Sequence, residues 1–151
     1  MKSKFIFPLF AFFTLLFMAI YFLVNPSYEK SIQAKYYYEM GEYKEAYELA
    51  KEAFSIDLYN RMASTIMAQS KTSLLYVAYI DDGKKYMTAI NKIATNEIIS
   101  SADKARMRLI CEIMISSYVK LAPSIITDEK LITTAAKYND MFEKLLEKVT
   151  K

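Results

Sequence analysis

Histidine and tryptophan are absent from this sequence. Cysteine occurs once, as Cys111, and 151 residues hold only two glycines and three prolines. Each shortage closes a class of chemistry. Without histidine the usual general base at neutral pH is missing, and neither a Ser-His-Asp nor a Cys-His site can be built. One cysteine allows no disulfide within the chain, and without histidine there is no Cys/His zinc cluster. Two glycines leave neither a G-x-G-x-x-G turn nor a P-loop to cradle phosphate. The 17 acidic side chains remain, and they fall mostly at helix-surface spacing. That pattern reads as solvated faces rather than paired catalytic carboxylates. The expectation is a protein with no catalytic residue, no metal, no cofactor and no small-molecule substrate.

Charge points the same way. The net charge is +3, and Lys2 and Lys4 supply two of those units. Residues 36–57 carry six acids against two lysines. Nucleic acid binding would call for a basic stripe, and none is present.

What the sequence does have is an apolar start. Residues 5–24 contain no charge, and seven of the nine phenylalanines fall there. Twenty helical residues span about 30 Å, the hydrocarbon thickness of a bilayer. Pro8 falls in the first turns, where its missing N–H breaks little. Asn25-Pro26 ends the run, because a residue before proline avoids the helical region. The run is longer than the core of a cleaved signal, and bulky residues follow it where a cleavage site would want small ones. It therefore reads as an uncleaved signal-anchor. Residues 1–26 form a cytoplasmic stub and transmembrane segment, and residues 27–151 a separate helical domain. Lys2 and Lys4 favour an inside N-terminus. In a bacterium that orientation gives a single-pass inner-membrane protein with a periplasmic C-terminal domain. The scarcity of cysteine suits such a compartment.

Beyond Pro26 almost nothing breaks helix, and no strand alternation is sustained. The fold class expected is all-α. About six helices should follow the membrane segment, over 27–40, 42–56, 58–80, 84–95, 101–121 and 128–149. Ser27 is the expected N-cap of the first, Ser100 or Ser101 of the fifth and Thr127 of the sixth. Gly41 and Gly83 should each stop a helix, Gly83 as a left-handed C-cap. Short turns make these helices three antiparallel pairs. In the last helix Leu131, Ala135, Tyr138, Phe142, Leu145 and Val149 share one stripe, which should pack on its own domain. Met62, Met67, Met107 and Met114 read as core filler.

The phrase "GEYKEAYELAKEAFSID" is more specific. Ala34, Tyr37, Gly41, Tyr43, Ala46, Ala53 and Asp57 fall at the spacing of one tetratricopeptide repeat, which the stretch resembles. Gly41 permits the tight turn, and Ala46 and Ala53 let two helices approach. Gly83, Tyr86 and Ala89 echo Gly41, Tyr43 and Ala46 in a divergent second copy, with the tyrosines and the alanines each 43 residues apart where 34 is usual and one extra residue after Gly83. The resemblance implies protein binding, with Tyr28, Ser31, Lys35, Tyr38 and Glu39 lining a groove. Stacked helical hairpins present grooves rather than reaction chemistry. The function expected is a membrane-anchored adaptor or scaffold for other membrane or periplasmic proteins. It would belong to a secretion, motility or translocation assembly of the bacterial envelope. The alternative is a periplasmic chaperone-like module beside a translocation machine.

Overall fold

The computed structural model describes residues 3–150, without the side chains of residues 3–5, 22 and 23. Lys2 lies outside the described residues. Six helices and no strand occur among those described: α1 Ser3–Val24, α2 Pro26–Glu39, α3 Tyr43–Ile56, α4 Arg61–Ala94, α5 Ser101–Tyr118 and α6 Glu129–Thr150. The all-α expectation holds, and the arrangement is compatible with a helical repeat. The chain divides into two compact units, Met1–Ser70 and Lys71–Lys151. The division falls within α4.

In the first unit α1 gives way to α2 at Asn25-Pro26. Asn25, not Ser27, is the N-cap: its side chain accepts from the Ser27 N–H at 3.0 Å. Pro26 takes the first helical position, where no N–H is required. Ser27 is buried instead. The α2–α3 turn is a Schellman motif. The Gly41 N–H donates to the Tyr38 carbonyl and the Glu42 N–H to the Tyr37 carbonyl. Gly41 sits at φ +83°, a left-handed conformation that side chains with a Cβ resist. Two contacts set the direction of α3. Near the turn, the Tyr38 and Tyr43 rings lie 5.4 Å apart. At the far end, the Ser27 hydroxyl donates to the Ala53 carbonyl. The helices are therefore antiparallel, as the repeat-like phrase implies. Ala34, Ala46 and Ala50 pack with Ile66 of α4 in a core made largely of single methyl groups.

The next helix departs from expectation. A turn closed by Asp57, whose carboxylate accepts from the Tyr59 N–H at 2.9 Å, delays its start to Arg61. Asn60 caps it by accepting from the Ala63 N–H. It then runs unbroken for 34 residues. The helices expected over 58–80 and 84–95 are one helix, so five helices follow α1 rather than six. Gly83 is no C-cap; among the described residues only Gly41 has a positive φ. A glycine inside a helix costs about 1 kcal/mol relative to alanine, too little to end one held by packing. Packing explains Gly83: a Cβ there would meet the Tyr138 ring at 3.0 Å. It clears space for an aromatic side chain of α6.

The second unit has a bulkier core of Tyr76, Tyr79, Ile80, Ile90, Met107, Ile110, Cys111, Met114, Ala135 and Phe142. The α6 stripe behaves as expected. Ala135 and Phe142 are fully buried, while Leu131, Tyr138, Leu145 and Val149 pack against the core. Met107 and Met114 are buried and Met67 partly so, but Met62 is exposed. Ser100 caps α5, its hydroxyl accepting from the Asp103 N–H. Asp128 rather than Thr127 opens α6, accepting from the Lys130 N–H at 2.8 Å. Thr127 instead closes the preceding loop by accepting from the Ser124 N–H.

Candidate interaction surfaces

A surface for binding another protein is made of what the helices leave uncovered, so the interior of the first unit comes first. On α2, Ser27, Ser31, Ala34 and Tyr38 recur at +4, +3 and +4 and form the face turned toward α3. Ser27, Ser31 and the α4 cap residue Asn60 make a closed polar cluster. The Asn60 amide donates to both serine hydroxyls at 2.8 Å. The Ser27 hydroxyl donates to the Ala53 carbonyl and that of Ser31 to the Ser27 carbonyl, both at 2.8 Å. All three side chains are fully buried and each has its partners. A satisfied buried network fixes geometry, whereas a half-satisfied one is costly.

This geometry separates the five residues expected to line a groove. Ser31 is corrected outright: it lies in the buried cluster and can touch no partner. Tyr38 is half-buried against Tyr43, and Tyr28 is half-buried. Lys35 and Glu39 are exposed and pair with each other at 3.7 Å, a surface ion pair worth little. The large apolar residues exposed along α2 and at its C-cap are Ile32, Tyr36 and Met40, spaced by four, with Tyr37 beside them. The Tyr36 and Tyr37 rings meet edge to face at 5.7 Å. Sequence reasoning missed this stripe, although its +4 spacing opposite Ser27, Ser31 and Ala34 was there to read. Of the repeat-defining residues, Ala34, Tyr43, Ala46 and Ala53 are buried, while Tyr37 is exposed. Gly83 is buried in mid-helix, with Tyr86 and Ala89 half-buried, and no turn corresponds to them.

The same unit leaves α1 bare. Every residue from Ile6 to Tyr21 is exposed, and apart from Thr14 they are aliphatic, aromatic, methionine or proline. Ile6–Tyr21 and Pro26–Glu39 are bent 74° from each other. Among the described residues no single helix is long and apolar enough to cross a membrane, but this bent pair together passes by length and composition. A cleft of about 560 Å³ lies where α1 meets α2, lined by Phe17, Ile20, Tyr21, Val24, Asn25, Pro26 and Ile56.

The second unit carries its own open cleft, about 310 Å³, between α4 and α5. Leu75, Tyr86, Ile113, Met114 and Leu121 line it, with Asp82 and Lys120 as its charges. Tyr79 also lines it, yet its hydroxyl is buried without a hydrogen-bond partner. Burial, with smaller contributions from Tyr118 and Glu143, pushes that phenol up to about 12, so it stays protonated. Burial likewise raises the Cys111 thiol, which keeps it from the thiolate form that reacts. Among the described residues no group of three acids or cysteines is placed to hold a metal ion.

Comparison with known proteins adds no relative. No protein family, no curated protein and no solved structure matches the chain. The likeness to tetratricopeptide repeats therefore stands on the α2–α3 hairpin alone.

Proposed function

We propose that this chain is a membrane-anchored helical adaptor. In this reading α1 lies in a bilayer, and the helical units beyond it hold protein partners in an envelope assembly, of the kind that serves secretion, motility or translocation. The observation that carries it is the bareness of α1. Its apolar side chains point in every direction, and each one described from Ile6 to Tyr21 is exposed. A helix apolar all round belongs inside a core or inside lipid. Exposing each large side chain to water forfeits about 1.5–3 kcal/mol, and more than ten are exposed together. The uncharged run in the sequence, residues 5–24, is longer at both ends than the Ile6–Tyr21 stretch of the bent pair. Lys2 and Lys4 on its N-terminal side favour a cytoplasmic N-terminus and a periplasmic domain. Ile32, Tyr36, Tyr37 and Met40 offer a partner an aromatic-rich face of the kind that anchors interfaces.

The reading is tested by extraction. Membranes carrying the full chain are washed in alkaline carbonate and then solubilised in detergent for pulldown. Retention in the pellet and one partner set at fixed stoichiometry support the adaptor. Release into the wash removes the anchor. A chaperone-like role is the second reading, favoured by the open cleft of the second unit with its unpartnered Tyr79 hydroxyl. Many substoichiometric clients would favour it over the adaptor.

A further inference from the structure

Beyond α1, the α3–α4 connection of the first unit leaves three large apolar side chains exposed within four residues. Ile56, Leu58 and Tyr59 are 50%, 67% and 92% exposed. No element of the first unit folds over them, although they follow one another at the end of a well-formed hairpin. Their position is set by connectivity. Ser27 comes three residues after Val24, so it lies within about 10 Å of the end of the apolar run. Its hydroxyl is bonded to the Ala53 carbonyl at 2.8 Å. That bond, with the Asn60 amide on Ser27 and Ser31, pins the end of α3 and the start of α4 beside the start of α2. Ile56 accordingly shares a cleft with Phe17, Ile20 and Val24 of α1. Phe17 lies about 10 Å along the helix from Val24, back into the apolar run. The same cluster that buries three polar side chains thus holds three apolar ones where α1 ends.

We infer that the α3–α4 connection is a second membrane contact, with Ile56, Leu58 and Tyr59 seated in the lipid interface beside α1. The occupant of this surface is a bilayer at headgroup level. Tyrosine suits that depth, because its ring is apolar and its hydroxyl stays hydrated. The contact would fix how the first unit stands on the membrane, which a single flexible tether cannot do. Arg61, exposed one residue beyond Asn60, is a nearby cation for anionic headgroups, as Asp57 in the same connection is a nearby anion.

This inference rests on α1 being membrane-embedded, and one experiment separates the two. The protein contains no tryptophan, so a single introduced one reports without background. Full-length Tyr59→Trp, Leu58→Trp and Phe13→Trp are reconstituted in phosphatidylcholine–phosphatidylglycerol vesicles, without bromine or with bromine on the acyl chains, near the headgroups for the two loop positions and near the chain ends for Phe13→Trp. A helical circular dichroism spectrum matching the parent shows that each variant is folded. The expected result is blue-shifted emission and loss of intensity in brominated vesicles at both Tyr59→Trp and Leu58→Trp, and also at Phe13→Trp. Quenching at Phe13→Trp alone, with water-like emission at both loop positions, overturns the inference and leaves the anchor standing. Water-like emission at all three overturns the anchor and the inference together.

Discussion

The two units are built from different materials. The first packs α2 and α3 through alanines, with serines and an asparagine fully buried among them. The second packs tyrosine, isoleucine, methionine and phenylalanine. Small side chains let two backbones approach closely, but they bury little apolar area, and area sets the hydrophobic gain. The first unit makes up part of the difference with directed hydrogen bonds. The second relies on volume. One is therefore sensitive to lost geometry, the other to lost bulk.

The largest expected effect tests the bulk. Phe142 is fully buried, and Phe142→Ala should cost about 3–5 kcal/mol, read as a lower urea midpoint. A change much under 1 kcal/mol would mean the second core tolerates a hole and is not volume-built. Next comes the geometry of the first unit. Asn60→Ala removes the α4 cap and both bonds to the serines. The loss should be roughly 2–3 kcal/mol, from a cap of about 1 and hydrogen bonds of about 1 each. Hydrogen exchange should show it first at the start of α4.

The glycines sharpen the contrast further. Gly41→Ala forces a Cβ into a left-handed position with open space around it. It should cost about 1–2 kcal/mol through the backbone alone. Gly83→Ala sits in ordinary helix, where alanine would normally gain about 1 kcal/mol. The Tyr138 ring at 3.0 Å opposes that gain, and the net result should be a loss on the order of 1 kcal/mol. In a Tyr138→Ala background the sign should reverse. Thermal melts of the parent, the three single variants and the Gly83→Ala/Tyr138→Ala double variant settle both cases.

Much of this was legible in the sequence, but unevenly. The hairpin of α2 and α3 was readable because Gly41 performs the one task a turn demands. The α6 stripe was readable because its period is long and uninterrupted. Gly83 misled because glycine has two uses, conformational freedom and absent volume, and only the partner helix tells them apart. Ser31 misled for a related reason. The repeat resemblance puts this serine on a groove, and only Asn60, 29 residues away in sequence, shows it to be buried and satisfied. The exposed α2 stripe was hidden because both faces of that helix carry tyrosine.

The smallest predicted effect concerns pH. Tyr79 is raised from 10.0 to about 12 in the folded protein, so the native state prefers the neutral phenol more than the unfolded chain does. Its contribution is fully present below pH 10 and fades as pH rises through about 12. Tyr79→Phe should remove that part of the alkaline loss. At neutral pH it should leave stability unchanged or slightly raised, because the buried hydroxyl has no partner to lose. Urea titrations of both proteins at pH 7 and at pH 11 would register the difference.

Cys111 has no exposed surface and is the chain's single sulfhydryl. An alkylating reagent can reach it only when the helices around it part. The rate of adduct formation, followed by mass spectrometry on unaltered protein, is therefore a built-in clock for breathing of the C-terminal half. The N-terminal half, which has no such group, stays silent in the same measurement.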